Sequence, residues 1–525
     1  MRKTLIALLV VVFATAVPPH ATAQQAPFLS ELFSRYEEFN RTYAEKRAAG
    51  QNVSALGLLR KRGEQAFKSG SIPGILEILG EGQAVVAGKK WDERQKFISS
   101  LIVETDRLVI EPNQVLQVSL TRMFPTNLEK AFAAPPTVTF AIIMGEVVST
   151  SGEAPSILAL WRNRTGALPA GVQEPVIIAE RLAIGETSSN ATRRLLLPDG
   201  AYQVVALIES AGKEIAEIKR QVYAISDFSD SINQMTKTIA GIRRSTDAKV
   251  RSIVPLVSTP EFQLQRLAPL NRTRGEIEIN AAQEVNRIEA ALSELAKGQN
   301  PFTGERGEIE GAYQAANGSL FPYRLYVPRN YDGTNATPLV VMLHGALGDE
   351  GYYFGGLIDP AVIKSEADTR GWILVGVNGR SRFGVSQEDV FEVINAVTRD
   401  YKIDASRVYL MGHSTGGAGA WMAASSKPEL FAAITSVSSG PPAQGDELTG
   451  LLKKLKGKPA MVIHGAQDGI APVQLSRNMA KAAEKSGLKV TYLEVPDGDH
   501  LSVVTSAFPA IMDFFDKSVK AIDTK

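Results

Sequence analysis

Gly412-His413-Ser414-Thr415-Gly416 follows Arg407-Val408-Tyr409-Leu410-Met411 and precedes Gly417-Ala418-Gly419-Ala420-Trp421-Met422-Ala423-Ala424. The first flank is β-branched, aromatic and apolar, and reads as a strand. The second is small and helix-compatible. A serine at such a strand-to-helix corner is held in a strained conformation with its hydroxyl exposed. A Cβ on either flanking residue would meet the crossing chain, so both are glycine. The corner presents Ser414 as a nucleophile and expects a parallel sheet around it.

Working outward, the region after Gly311 alternates strands with helices. Strands are expected at Tyr323–Val327, Leu339–Leu343, Trp372–Val377, Ala433–Val437, Ala460–Ile463 and Val490–Val495. Ser386 with Asp389 three residues on is a capping box, opening a helix through Phe391, Ile394 and Val397. Another helix is expected near Leu475–Lys485. Leu339–Leu343 is continuously apolar, as suits a strand covered on both faces. This pattern means a mostly parallel sheet with helices on both faces, the α/β class.

A serine hydroxyl is a poor nucleophile until a base takes its proton, and the base needs an acid to hold its tautomer. Where a G-x-S-x-G corner is used, acid and then histidine follow it in the chain. Downstream of Ser414 the histidines are His464 and His500. Asp468 lies in the loop after the apolar strand Met461-Val462-Ile463, where open α/β sheets place their sites. His500 follows the strand ending at Val495. Ser414 as nucleophile, Asp468 as acid and His500 as base satisfy order and placement together. His464 is the rival base, but it precedes the acid and closes a buried strand. Asp497 and Asp499 are rival acids that read better as turn residues around Gly498. His413 reads as packing. An oxyanion needs backbone donors: the Thr415 N–H, and one from His344-Gly345-Ala346-Leu347-Gly348, with Ala346 preferred over Leu347. With a histidine base, activity should fall on acidification as the imidazole becomes protonated.

Leu343-His344-Gly345, the G-H-S-x-G-G corner, His464-Gly465-Ala466-Gln467-Asp468 with Pro472, and Gly498-Asp499-His500 together resemble the α/β-hydrolase superfamily. They are most similar to bacterial esterases of the polyhydroxybutyrate-depolymerase and feruloyl-esterase type, and to prolyl-oligopeptidase catalytic domains. The resemblance spans roughly residues 311 to 520. It implies a Ser-Asp-His mechanism through an acyl-enzyme, with no metal and no cofactor, on a small-molecule or polymer ester. Some such esterases carry an immunoglobulin-like domain ahead of the catalytic one. The depolymerases often have disulfides, whereas this chain has no cysteine. No β-propeller repeat of the prolyl-oligopeptidase kind is visible. A peptidase of that type, or a binding or scaffold protein that keeps an unused hydrolase fold, are the alternatives.

The chain has 525 residues, enough for several domains, and a formal net charge of +1. That balance gives no reason to expect nucleic acid or an anionic membrane surface as a partner. Residues 1–23 read as an export signal: Arg2 and Lys3, the apolar stretch Leu5 to Val17, and Ala21-Thr22-Ala23 at the cleavage site. The apolar run is too short to span a bilayer, and without cysteine there is no thiol-linked lipid anchor. A secreted or periplasmic location is expected, and the oligomeric state is not encoded legibly. Residues 24–104 have helical periodicity, through Leu29, Leu32, Phe33, Tyr36 and Phe39, then Leu56 and Leu59, then Ile75 to Leu79. Residues 105–226 alternate as short strands, including Leu116–Leu120, Thr137–Met144, Ile157–Trp161, Val176–Ala179 and Arg194–Leu197, and suggest an immunoglobulin-like β-sandwich. Residues 227–300 return to helix and end in a linker, and residues 301–525 form the α/β domain.

Overall fold

The computed structural model describes residues 54–145, 175–267 and 280–520, apart from Gly70, 185–187, Leu347, 356–357 and 380–383, together with a few positions between 31 and 51. The expected export signal and the expected strand Ile157–Trp161 lie outside the described residues. The chain divides into two compact units, one of residues up to Gly241 with Gln263–Leu292, the other of Ile242–Phe262 with Ser293–Lys525. The helical stretch at 227–300 is thus shared between them. No helix among the described residues is long and apolar enough to cross a membrane.

In the first unit, helices Ser54–Lys68, Ile72–Val86 and Glu93–Ser100 come first. Ser71 caps the second, its hydroxyl accepting from the Gly74 N–H, and Pro73 sits in the first turn where its missing N–H costs nothing. The helical pattern ends at Ser100 rather than at Glu104. Leu101–Thr105 is already strand β1, because Leu101 and Val103 turn into the core between the sheets. It is followed by β2 (Val109–Ile110), β3 (Val115–Arg122), β4 (Thr137–Met144), β5 (Val176–Ala183), β6 (Ser188–Arg194), β7 (Gly200–Ser210) and β8 (Lys213–Ala224). The strand expected at Arg194–Leu197 lies earlier, because Ser188–Arg194 pairs with β3. The order β1-β3-β6 makes one sheet and β2-β8-β7-β4-β5 another. Alternate residues of both, Leu116, Val118 and Leu120 from one and Val138, Phe140 and Ile142 from the other, share a single core.

The second unit is built on eight strands: β9 (Gly307–Gln314), β10 (Leu320–Val327), β11 (Thr337–Leu343), β12 (Ile373–Val377), β13 (Ile403–His413), β14 (Ala433–Val437), β15 (Pro459–Gly465) and β16 (Lys489–Val495). Their order is β16-β15-β14-β13-β11-β12-β10-β9, with parallel pairing from β16 through β12 and antiparallel pairing at β10. Along β11, Leu339, Val341 and Leu343 enter one core, while Val340 and Met342 enter the other. That two-sided burial explains the unbroken apolar run. Helices Gln387–Asp400, Thr415–Ser426 and Gln474–Lys485 cover the first face, and Pro360–Arg370 and Ser502–Asp516 the second. Ser386 caps the helix Gln387–Asp400, its Oγ accepting from the Asp389 N–H at 3.2 Å and donating to Asp389 Oδ2 at 2.8 Å. From β11 the chain moves outward to β12 and then returns to β13 on the other side. That reversal makes β11 and β13 the switch point of the sheet, where folds of this kind place their sites at the strands' C-terminal ends.

Under this edge, Phe515 stacks on Tyr409 with ring centroids 4.6 Å apart, and Tyr409 stacks on Trp372 at 5.4 Å. All three rings are buried. Phe515→Ala should destabilise the unit by about 3–5 kcal/mol, read from urea unfolding. A loss below about 1 kcal/mol would show that the stack is not part of the core.

Candidate active site

Ser414 sits between β13 and the helix Thr415–Ser426 with φ 53° and ψ −122°, a conformation costly for a residue with a Cβ. Its own N–H is held by the Val437 carbonyl at 2.9 Å. A Cβ on Gly412 would overlap the Gly416 carbonyl oxygen, and one on Gly416 would overlap that of Leu343. The strained turn therefore exists only because both positions lack a side chain. Thr415 opens the helix, so its N–H has no intrahelical acceptor and lies beside Ser414.

Asp468 and His500 come from the loops after β15 and β16, which are stitched together. The Ala466 N–H donates to Val495 and the Gln467 N–H to Gly498, each at 2.9 Å. Gly465 lets the loops close, since a Cβ there would strike the Gly498 carbonyl. Asp468 Oδ1 accepts from the N–H groups of Ile470 (2.9 Å) and Ala471 (2.8 Å), and Oδ2 lies 2.8 Å from His500 Nδ1. A carboxylate only accepts, so Nδ1 carries the proton and the neutral ring presents a bare Nε2. Burial alone would raise the Asp468 carboxyl. Hydrogen bonds from His464, His500 and the Ala471 backbone hold it well below the usual carboxylate range, so it stays ionised.

The rival residues are placed elsewhere. Asp499 Oδ1 is occupied by the N–H groups of Leu501 and Ser502 and by the Ser502 hydroxyl, and Asp497 is exposed on its turn. His464 is fully buried. Its Nδ1 is 2.6 Å from Ser476 Oγ, and its Nε2 is 3.0 Å from the Ala471 carbonyl and 3.1 Å from Asp468 Oδ2.

The loop after β11 abuts the serine: a Cβ on Gly345 would stand 3.3 Å from Ser414 Cβ and 3.2 Å from His413 Nδ1. The Gly348 N–H closes a turn onto Gly345 O at 3.0 Å, with Ala346 inside it. Leu347 is outside the described residues. His413, expected as packing, is a polar connector instead. Its Nε2 is 2.6 Å from the His500 carbonyl, so Nε2 carries the proton, and Nδ1 accepts from the Tyr352 hydroxyl at 2.7 Å. Tyr352 and His413 thus tie the Gly345 loop to the backbone of the histidine loop. Nothing local in the sequence signals this, since the partners stand 61 and 87 residues apart. Nearby, desolvation and the Asp349 carboxylate push half-buried Glu350 up to about 7, and the Asn378 amide donates to it at 2.6 Å.

Residues 338–456 match the family model for the alpha/beta hydrolase fold. Several curated relatives overlap parts of the chain. A bifunctional acetylxylan esterase/xylanase of Neocallimastix patriciarum is 27% identical over 169 residues, 31% of this chain and 23% of that protein. Venom dipeptidyl peptidase 4 of Vespa velutina is 26% identical over 247 residues, 40% of this chain and 31% of that protein. A probable feruloyl esterase C of Aspergillus oryzae is 28% identical over 191 residues, 35% of this chain and 68% of that protein. The chain therefore spans only 23% and 31% of the first two relatives' lengths.

Burial, and secondly the neighbouring His500, push the His413 imidazole from 6.5 down to about 3. Between those values the unfolded chain binds a proton that the folded one refuses. Stability from this group is complete above about 6.5 and is lost as pH falls toward about 3, by up to about 1.4 kcal/mol per pH unit. Urea midpoints taken from neutral pH downward should show that slope, and His413→Asn should flatten it. An unchanged slope in the variant would contradict the assignment.

Proposed function

We propose that this alpha/beta hydrolase domain belongs to an exported serine hydrolase that cleaves carboxylic esters through an acyl-enzyme. Ser414 is the nucleophile, His500 the base and Asp468 the acid, with the N–H groups of Thr415 and Ala346 as oxyanion donors and Leu347 as the second choice for the loop donor. The observation that carries this reading is the 2.8 Å contact between Asp468 Oδ2 and His500 Nδ1. It fixes the tautomer that leaves Nε2 free to take a proton, on the same sheet edge as a strained serine.

In the proposed reaction, Ser414 Oγ adds to the ester carbonyl as its proton passes to His500 Nε2. The oxyanion so formed is held by the two backbone donors. Collapse expels the alcohol, which takes the proton from His500. Water then adds to the acyl-enzyme, giving its proton to the same nitrogen, and the carboxylic acid leaves as Ser414 Oγ recovers that proton. Asp468 remains ionised throughout and steadies the imidazolium. An ester is favoured over an amide because two relatives bear esterase names. The peptidase relative keeps the amide reading open as the second reaction of the same three residues. The two-sheet unit is read as an immunoglobulin-like accessory domain, supported by two sheets sharing one core. Export is supported by residues 1–23 alone.

A fluorophosphonate probe should add to Ser414, and Ser414→Ala should abolish the adduct. Esterase activity on a p-nitrophenyl acyl ester should fall by about 10⁴-fold or more in Ser414→Ala and His500→Ala. Turnover of a prolyl peptide anilide without ester turnover would sink the ester assignment. Absence of any Ser414 adduct in the wild-type protein would instead favour a binding or scaffold role.

A further inference from the structure

His464 has no part in the proposed reaction, yet it is a fully buried imidazole touching the same carboxylate oxygen as His500. Its Nε2 faces Asp468 Oδ2 at 3.1 Å and the Ala471 carbonyl at 3.0 Å, and both can only accept. Nε2 therefore carries a proton, which bonds the Ala471 carbonyl with Asp468 Oδ2 only 3.1 Å from the same nitrogen. The Ala471 residue that accepts it also donates its own N–H to Asp468 Oδ1 at 2.8 Å. With Ile470 N–H and His500 Nδ1, each oxygen of the carboxylate meets two N–H groups. On the other side, His464 Nδ1 meets Ser476 Oγ at 2.6 Å, which in turn lies 2.8 Å from the Ser439 carbonyl. Ser439 packs against the serine corner: a Cβ on Gly417 would come within 2.6 Å of its Cβ.

We infer that His464 is a positioning residue that sets the strength of the base, by drawing off part of the Asp468 charge that His500 would otherwise receive whole. This rests on the assignment of Ser414, Asp468 and His500 above. Physically, a carboxylate that accepts an N–H from one side is a weaker partner for an imidazolium on the other. Other groups around the triad are already matched. Glu494 on β16 pairs with Arg477 at 2.7 Å, Asp499 caps the following helix, and His413 on β13 donates to the His500 carbonyl. His464 is the neighbouring imidazole that touches the acid from outside the reaction.

Two substitutions separate this role from plain packing. Asparagine can place its amide oxygen where the imidazole has the bare Nδ1, so His464→Asn keeps an acceptor beside Ser476 and loses the N–H group next to Asp468. Glutamine reaches the Nε2 position, so His464→Gln keeps that donor. The acid limb of kcat/KM on a p-nitrophenyl ester should move up by roughly half to one pH unit in His464→Asn, because the imidazolium form persists to higher pH. It should return toward the wild-type position in His464→Gln. An acid limb that stays in place in a folded His464→Asn, judged by circular dichroism and by labelling of Ser414, overturns the inference. If His464→Asn does not fold, nitrogen-15 spectra of the histidine-labelled wild-type protein decide: a bare Nε2 on His464 overturns it, and a protonated Nε2 at about pH 8 supports it. Failure of the wild-type protein to label at Ser414 would defeat the hydrolase reading itself, a separate result from an unmoved limb.

Discussion

The absence of side chains at Gly412 and Gly416 is the constraint on which the site depends. With them bare, the chain leaves β13, turns through a positive φ at Ser414 and enters a helix lying close against Leu343 and Ser439. The turn strains one residue, and the N–H of Ser414 bonded to Val437 helps to hold it there. Because β13 sits between β11 and β14, the strained serine stands at the switch point of a parallel sheet. The loops after β11, β15 and β16 leave the same edge of the sheet.

Those loops are held to one another by buried polar links. Tyr352, His413 and the His500 carbonyl join the β11 loop to the β16 loop. Asp468 joins the β15 loop to His500, and His464 with Ser476 joins it to Ser439 after β14. A buried polar network of this kind is costly if any member is left unpaired, so it favours one arrangement of the loops. The histidines at 413 and 464 fit that role: both are buried, and both place N–H groups on acceptors that fix the geometry of His500 or Asp468.

The sequence was most informative where the local pattern and the tertiary demand agree. Ala433–Val437 and Thr137–Met144 are strands with the expected ends, and the corner around Ser414 was visible from its flanking pattern. It gave no reading where burial and distant partners decide the element. Ser502–Asp516 contains paired valines and an internal proline, yet it is a helix because Val503, Phe508, Ile511, Met512 and Phe515 bury one face. Gly307–Gln314 looks polar, with two glutamates in its first half, but Glu308 and Glu310 are drawn toward Arg324 on the neighbouring strand and the segment pairs as β9. In the site, the order of Ser414, Asp468 and His500 could be read from spacing. The roles of His413, Tyr352 and His464 could not, because their partners come from distant loops or from a shared oxygen that no linear pattern displays.

The central claim is that the corner holds an oxygen of the reacting group against two backbone N–H groups while Ser414 bonds to it. The most direct measurement is a crystal structure of the protein carrying a phosphonate on Ser414. The phosphoryl oxygen is predicted to lie about 2.7–3.1 Å from the backbone nitrogens of both Thr415 and Ala346, with His500 Nε2 facing the leaving-group side. An oxygen turned to solvent, or a phosphonate attached to a residue other than Ser414, would contradict the account.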